Sequence, residues 1–196
     1  VDYNKDFKTI EFWDGKFWKQ VDNTTTSGRA LIAGGNTPKG GGYSNIIQLI
    51  NIHTFGDARR FGDLLDKSSH TIATSNSIRG LMKHGYVPGG SDKDIEYVAI
   101  ASEGNAINFG DATYTAWGNA FVASSTRREL GGGVRAVNTI CYVQIMTPGN
   151  AMDFGDLSVA MRHTIGYSSP TRGIIGTGDD GGSPGNNISN FDSLTI

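Results

Sequence analysis

The chain has 196 residues, 17 Lys+Arg against 19 Asp+Glu and a formal net charge of -2, so it holds about one domain's worth of sequence and lacks the clustered cations that nucleic-acid binding requires. Charged residues are only 18% and glycine fills 28 positions, about twice its usual share of roughly 7%, which predicts a surface of Ser, Thr, Asn and Gly. No apolar run is long enough to insert in a membrane, the start lacks the basic-then-apolar layout of a signal peptide, and the single Cys141 excludes a disulfide framework or a cysteine-based zinc site.

Residues 1–26 form the first segment. Thr9 to Trp13, the turn pair Asp14-Gly15, and Lys16 to Val21 read as a two-stranded hairpin. It carries Trp13 and Trp18, five positions apart, which are candidate docking or sugar-stacking residues; aromatic packing is the plainer alternative. Residues 27–178 then repeat. NIIQLINIHTFGDARRFGDL from Asn45, DIEYVAIASEGNAINFGDAT from Asp94 and NTICYVQIMTPGNAMDFGDLS from Asn138 share an alternating strand, a turn and Phe-Gly-Asp. The tripeptides are Phe61-Gly62-Asp63, Phe109-Gly110-Asp111 and Phe154-Gly155-Asp156, at spacings of 48 and 45. A second landmark keeps step: Arg29, Arg79, Arg127 and Arg172 each open a short segment running into glycine.

Units of this length, with period-two apolar patterning and Gly/Asn/Ser punctuation, predict four strands each and an all-β fold. Gly104-Asn105 and Gly149-Asn150 are expected to make the tight turn before the last strand of a unit. The Phe is expected to pack between units, and the Asp to tie down N–H groups beside a turn. The first unit, with TFGDARRFGDL, has no Gly-Asn-Ala and its turn is open. Residues 179–196 comprise a glycine-rich loop with Asp179 and Asp180 and a final strand, Ile188 to Ile196, with no Phe-Gly-Asp after it. The expected architecture is a small β-propeller of about four blades, closed by the N- and C-terminal strands so that no sheet edge stays open. The alternative is the terminal part of a longer β-repeat array.

The glycine doublet followed by an Asn-x-Ile-x-Tyr-type strand and a short aromatic strand resembles a kelch-type blade, with Phe of Phe-Gly-Asp replacing the usual Trp. SSTRRELGGG from Ser124, NTICYVQI from Asn138 and GNAMDFGDLSVAMR from Gly149 resemble kelch-like repeats in predicted structural proteins of marine bacteriophages, cyanophages especially. The N-terminal FWDGKFWKQV is similar to a tryptophan-bearing hairpin that precedes such repeats. The resemblance implies a virion component, a tail fibre, appendage or capsid-surface protein that binds rather than catalyses. Its implied partners are other virion proteins and a host-surface glycan or receptor, within a homo-oligomer or larger assembly, and it implies no cofactor.

Chemical motifs are weak beside this. Asp153-Phe154-Gly155 spells the magnesium tripeptide of protein kinases, but the strand Lys and His-Arg-Asp loop it needs are missing from the sequence. No Gly-x-Ser-x-Gly elbow occurs, and Cys141 inside a strand reads as a buried, inert thiol. His70 and His163 occupy equivalent positions, with Gly118 between, and equivalent positions of a ring are expected to lie far apart unless they line its axis, which disfavours a shared metal. Asp179 and Asp180 match no known calcium-loop spacing. A glycan-binding module using Trp117 or the Asp179-Asp180 loop is the second reading. A propeller glycosidase, which needs paired carboxylates at one cleft, is the third.

Overall fold

A computed structural model of the protein describes residues 2–4, 9–13, 15, 18–20, 28–37, 42–52, 56–134, 137–182 and 185–196. Among these the fold is all-β, with antiparallel pairing throughout. No helix is long and apolar enough to cross a membrane. β1 (Asp2–Asn4), β2 (Thr9–Trp13) and β3 (Trp18–Gln20) make one sheet. The hairpin expected around Gly15 is thus present, though Asp14, Lys16 and Phe17 lie outside the described residues.

Four further sheets follow the repeat. Sheet I is β4 (Arg29–Ala33), β5 (Ser44–Asn51) and β6 (Arg59–Ser68); sheet II is β7 (Ile72–Ser75), β8 (Arg79–Lys83), β11 (Asp94–Ala99) and β12 (Ile107–Asp111). Between β8 and β11 a small hairpin, β9 (Tyr86–Val87) and β10 (Gly90–Ser91), stands apart. Sheet III is β13 (Ala120–Ala123), β14 (Arg127–Gly131), β15 (Val137–Gln144) and β16 (Met152–Met161). Sheet IV is β17 (Ile165–Ser168), β18 (Arg172–Asp179) and β19 (Asn187–Thr195). β18 runs through the expected boundary at residue 178. β1 to β3 pair only with one another, so the strand addition expected to complete sheets I and IV does not occur among the described residues.

The hairpin between the first two strands of a full unit has a polar cap three residues before the repeated Arg. Asn76 Oδ1 accepts from the N–H groups of Ile78 and Arg79 at 2.9 and 2.8 Å, and Ser124 Oγ and Ser169 Oγ accept from Arg127 N and Arg172 N, both at 3.1 Å. Such side chains mimic a backbone turn and fix the hairpin locally.

The core lies between sheets, in three clusters. Alternation sends one side chain set of each sheet to the preceding sheet, its front, and the other to the following sheet, its back. Ile47, Leu49 and Phe61 on the back of sheet I meet Met82 and Val98 on the front of sheet II. Leu81, Ile95 and Phe109 meet Leu130, Cys141, Val143 and Ile145 across the next interface. Val122, Ile140 and Leu157 meet Ile175 and Leu194 across the last.

The Phe-Gly-Asp tripeptide is a β-bulge in every copy. Ile47 opposes Gly62 while Gln48 opposes Arg60, so Phe61 is skipped; Phe109 and Phe154 are skipped in the same way. The skipped residue turns its carbonyl out of the ladder. That carbonyl is taken by the next unit: Phe61 O accepts from Gly104 N–H at 3.0 Å and Phe109 O from Gly149 N–H at 2.6 Å. Two residues on, Asp63 O and Asp111 O accept from Ala106 and Ala151 N–H at 2.8 and 2.7 Å. Asn105 and Asn150 Oδ1 accept from the N–H of Asp63 and Asp111 at 3.1 and 3.0 Å. Gly-Asn-Ala is therefore a clamp on the preceding sheet, where a tight turn was expected. Gly56-Asp57-Ala58 holds the same offset in the first unit, with Asp replacing Asn.

The Asp side chains of the tripeptide do not tie down turn N–H groups as expected. Asp63 pairs with Arg60 at 2.5 Å and Asp111 with Lys93 at 2.9 Å. The Phe rings do pack between sheets, with Phe61 and Phe109 buried and Phe154 half-buried. The second landmark bridges the same interfaces: Arg29 Nη1 donates to Ile100 O at 2.7 Å and Arg79 Nη1 to Ile145 O at 3.1 Å. Arg79 and Arg127 also lie over the rings of Tyr97 and Tyr142.

The clamp demands glycine at the centre of the tripeptide. A Cβ on Gly110 would overlap the Gly149 carbonyl, whereas one on Gly155 would meet nothing within 4 Å, although the two share φ of +140° and +139°. Backbone strain is thus equal and steric access differs. Gly110→Ala is expected to lose about 2 kcal/mol or more beyond the loss caused by Gly155→Ala. Chemical denaturation of the two variants side by side measures that difference.

Candidate functional site

Two histidines and a tryptophan come together on the connections between sheets. His70, Gly118 and His163 all take the left-handed conformation, with φ of 52°, 68° and 54°. These equivalent positions were expected to be far apart. Instead both imidazoles flank Trp117, with centroids 4.5 Å from His70 and 5.4 Å from His163. Direct packing of consecutive sheets brings successive connections within ring contact.

Trp117 is half-buried, and the two imidazoles packed against it take up part of the aromatic surface a sugar ring would need. His163 Nδ1 lies 2.9 Å from Asp179 Oδ2, and Arg162 Nε contacts the other oxygen. The His163 hydrogen bond, with Arg162 and the Gly181 N–H, brings the Asp179 carboxyl down to about 2. Asp180 accepts from the Gly182 and Asn186 N–H groups, both at 2.9 Å, and from Asn186 Nδ2 at 2.7 Å. Both carboxylates flagged by sequence thus act as anchors for the loop between β18 and β19. Trp13 is about half exposed, and Trp18 lies in β3.

A second cluster went unnoticed in the sequence. Lys83 is fully buried, and its Nζ donates to three carbonyls: His84 and Asp92 at 2.8 Å and Ala116 at 2.5 Å. Burial lowers its pKa to about 8, only partly offset by Asp92. Its counterparts at the ends of β4, β14 and β18 are Ala33, Gly131 and Gly176. One irregular residue in a repeat was the available signal.

The next residue, His84, is buried with Nε2 2.8 Å from Glu96 Oε1 and Nδ1 3.6 Å from Asp92 Oδ2. Burial opposes charge on the ring, but the Glu96 and Asp92 carboxylates outweigh it and the net movement of the His84 pKa is upward. Glu96 also accepts the Leu65 N–H of sheet I through both oxygens, at 3.1 and 3.0 Å. Asp192 does the same for Ser158 N–H at 3.2 Å. His84, Asp92 and Asp94 present ligand atoms within 4.8 Å of one another, a spacing that suits a divalent cation. A cation at Nδ1 needs the neutral ring, which the flanking carboxylates disfavour.

Glu129 is buried on the back of sheet III, at the position that Leu31 and Leu81 fill in sheets I and II. Neither of its oxygens has a hydrogen-bond partner among the described residues, and Arg127 Nε is 3.8 Å away. Burial pushes its pKa up to about 7. Cys141 is buried and its thiol is likewise pushed up by burial, as expected of an inert thiol. Chemically, these arrangements store charge inside sheet interfaces: Lys83 caps carbonyls, and His84 is clamped between carboxylates. Neither a family model nor a curated protein matches the chain.

Two expectations follow from the buried charges. An uncompensated carboxylate in an apolar interface is costly, so Glu129→Leu, which restores the residue of the first two sheets, is expected to stabilise the protein by about 1–3 kcal/mol at pH 8 in denaturant unfolding. His84 holds its proton more tightly in the folded chain, so its contribution is full below pH 6.5 and fades as pH rises through the higher folded value. Glu129 acts in the same direction between 4.5 and about 7. Thermal melting is therefore expected at lower temperature at pH 8 than at pH 5.5, with much of the difference removed in Glu129→Leu.

Proposed function

We propose that the chain is a non-enzymatic structural protein of a bacteriophage virion, a tail fibre, appendage or capsid-surface component whose kelch-like sheets serve as the blades of a rigid binding scaffold. One observation carries this reading. In the first two internal interfaces the residues that define the repeat, Phe-Gly-Asp and the opening Arg, are committed to sheet-to-sheet contacts, and the departures from the repeat at Lys83, His84 and Trp117 are committed to packing as well. A chain whose distinctive residues hold its own units together is built to present a surface.

On this reading the four repeat sheets are four blades, of which sheets I and IV have three strands. The adhesive surface is the row of polar hairpins: Asn76-Ser77, Ser124-Ser125 and Ser169-Pro170 line a single groove with Ile78 and Met146. Its hydroxyl and amide groups suit a host-surface glycan or receptor, or a neighbouring virion protein. A glycan site centred on Trp117 is the poorer alternative, because two imidazoles take up part of that ring's surface.

Immunogold labelling with antibodies to the chain, on purified particles of a phage that encodes it, tests the assignment. Labelling of the tail or capsid surface is the expected result. Accumulation in infected cells with unlabelled particles would refute it.

A further inference from the structure

We infer that the back of sheet IV in one molecule docks on the front of sheet I in a second copy, so that the chain assembles head to tail. The inference rests on the scaffold reading and names the first partner of that scaffold.

Strand register identifies the equivalent positions. On the front faces, Ile32 corresponds to Met82, Leu130 and Ile175, and Ile52 to Ile100 and Ile145. The internal residues of these sets are 0–7% exposed, whereas Ile32 is 51% and Ile52 67% exposed. On the back faces, Phe191 corresponds to Ile47, Ile95 and Ile140, which are 0–1% exposed, yet Phe191 is 63% exposed. Ile174, at the Leu81 position, is 38% exposed against 0%. The same apolar positions are thus closed at the internal interfaces and open at both ends of the series.

The two open faces do not cover each other within one chain, since both are exposed in the same structure. They are nevertheless complementary, because every internal interface joins a back face to a front face. The polar bridge is available too. Arg29 and Arg79 reach carbonyls at Ile100 and Ile145, and Ile52 is the corresponding residue of sheet I. Arg172, the sheet IV counterpart, is exposed and has no side-chain hydrogen bond or ion pair among the described residues. The expected intermolecular bridge runs from Arg172 to Ile52 O. Joining unlike faces leaves one of each face free, so the assembly is open-ended unless it closes as a ring of copies.

Sedimentation velocity of the full chain from about 1 to about 200 µM, a range spanning ordinary weak interfaces, reads the association. Wild type is expected to gain mass with concentration. Ile52→Asp and Phe191→Asp are each expected to be monomeric. An equimolar mixture of the two is expected to recover a species of two chains and nothing larger, because each variant retains the face the other lacks. Arg172→Glu is expected to weaken association about tenfold.

A monomeric wild type across the range overturns the inference. So does persistent association of either aspartate variant alone, which would mean like faces pairing. Loss of thermal stability in a monomeric wild-type background on Ile52→Asp or Phe191→Asp would show that the faces meet within one chain, and also overturns it. All these results concern purified protein, so they are independent of whether virions carry the label.

Discussion

The hydrogen bond from a glycine N–H to the carbonyl of a bulged phenylalanine in the preceding sheet is the contact on which the rest of the structure depends. A regular strand would direct that carbonyl into its own ladder. Skipping Phe61 or Phe109 frees it for the next sheet, and the glycine that follows leaves room for the incoming backbone. Once that clamp is formed, the apolar faces are in register and the Arg bridge at the other end of the sheet reaches its carbonyl. The interfaces of sheets I with II and II with III are therefore each pinned at two separated points with hydrophobic packing between them, whereas sheets III and IV show neither the clamp nor the Arg bridge among the described residues.

The buried charges modify this plan at single sites. Glu96 and Asp192 accept an amide N–H from the sheet before them, so their carboxylates replace part of what the ladder does elsewhere. The corresponding position in sheet III is Cys141. Glu129 has no such donor among the described residues and sits where leucine would serve, which makes the cohesion of sheets III and IV sensitive to proton concentration. Lys83, with three carbonyl acceptors from three segments, ties the end of β8 to the connection that leads into sheet III.

Much of the fold was legible because the interface residues recur. Phe-Gly-Asp and the opening Arg stand out in sequence for the same reason they matter in space: the interfaces of sheets I with II and II with III each use a bulge, a glycine and a long cation. The final strand, β19, was legible from its likeness to the third strand of the other units. The clamp's other half was misread, because Gly-Asn looks like a local turn and nothing local reveals a partner 42 residues earlier, as for Asn105 with Asp63. Lys83, His84 and Glu129 escaped attention because charged residues next to apolar ones in a strand read as a solvated face. The His70–Trp117–His163 stack was hidden by the assumption that equivalent positions diverge around an axis. The groove between the hairpins could not be read at all, since its Ser and Asn residues are ordinary hairpin residues brought side by side only by packing.

The repetition of the two halves of the clamp has a consequence for how such a chain can change length. Because the first two internal junctions present the same acceptor and receive the same donor, copying the stretch from one of these Phe-Gly-Asp tripeptides to the next adds a sheet that fits on both sides without any new surface having to arise. Removing one such stretch rejoins matching neighbours. Length is thus free to vary in whole units, and the spacings of 48 and 45 between the tripeptides show that a connection can also differ by a few residues while a glycine still meets its phenylalanine.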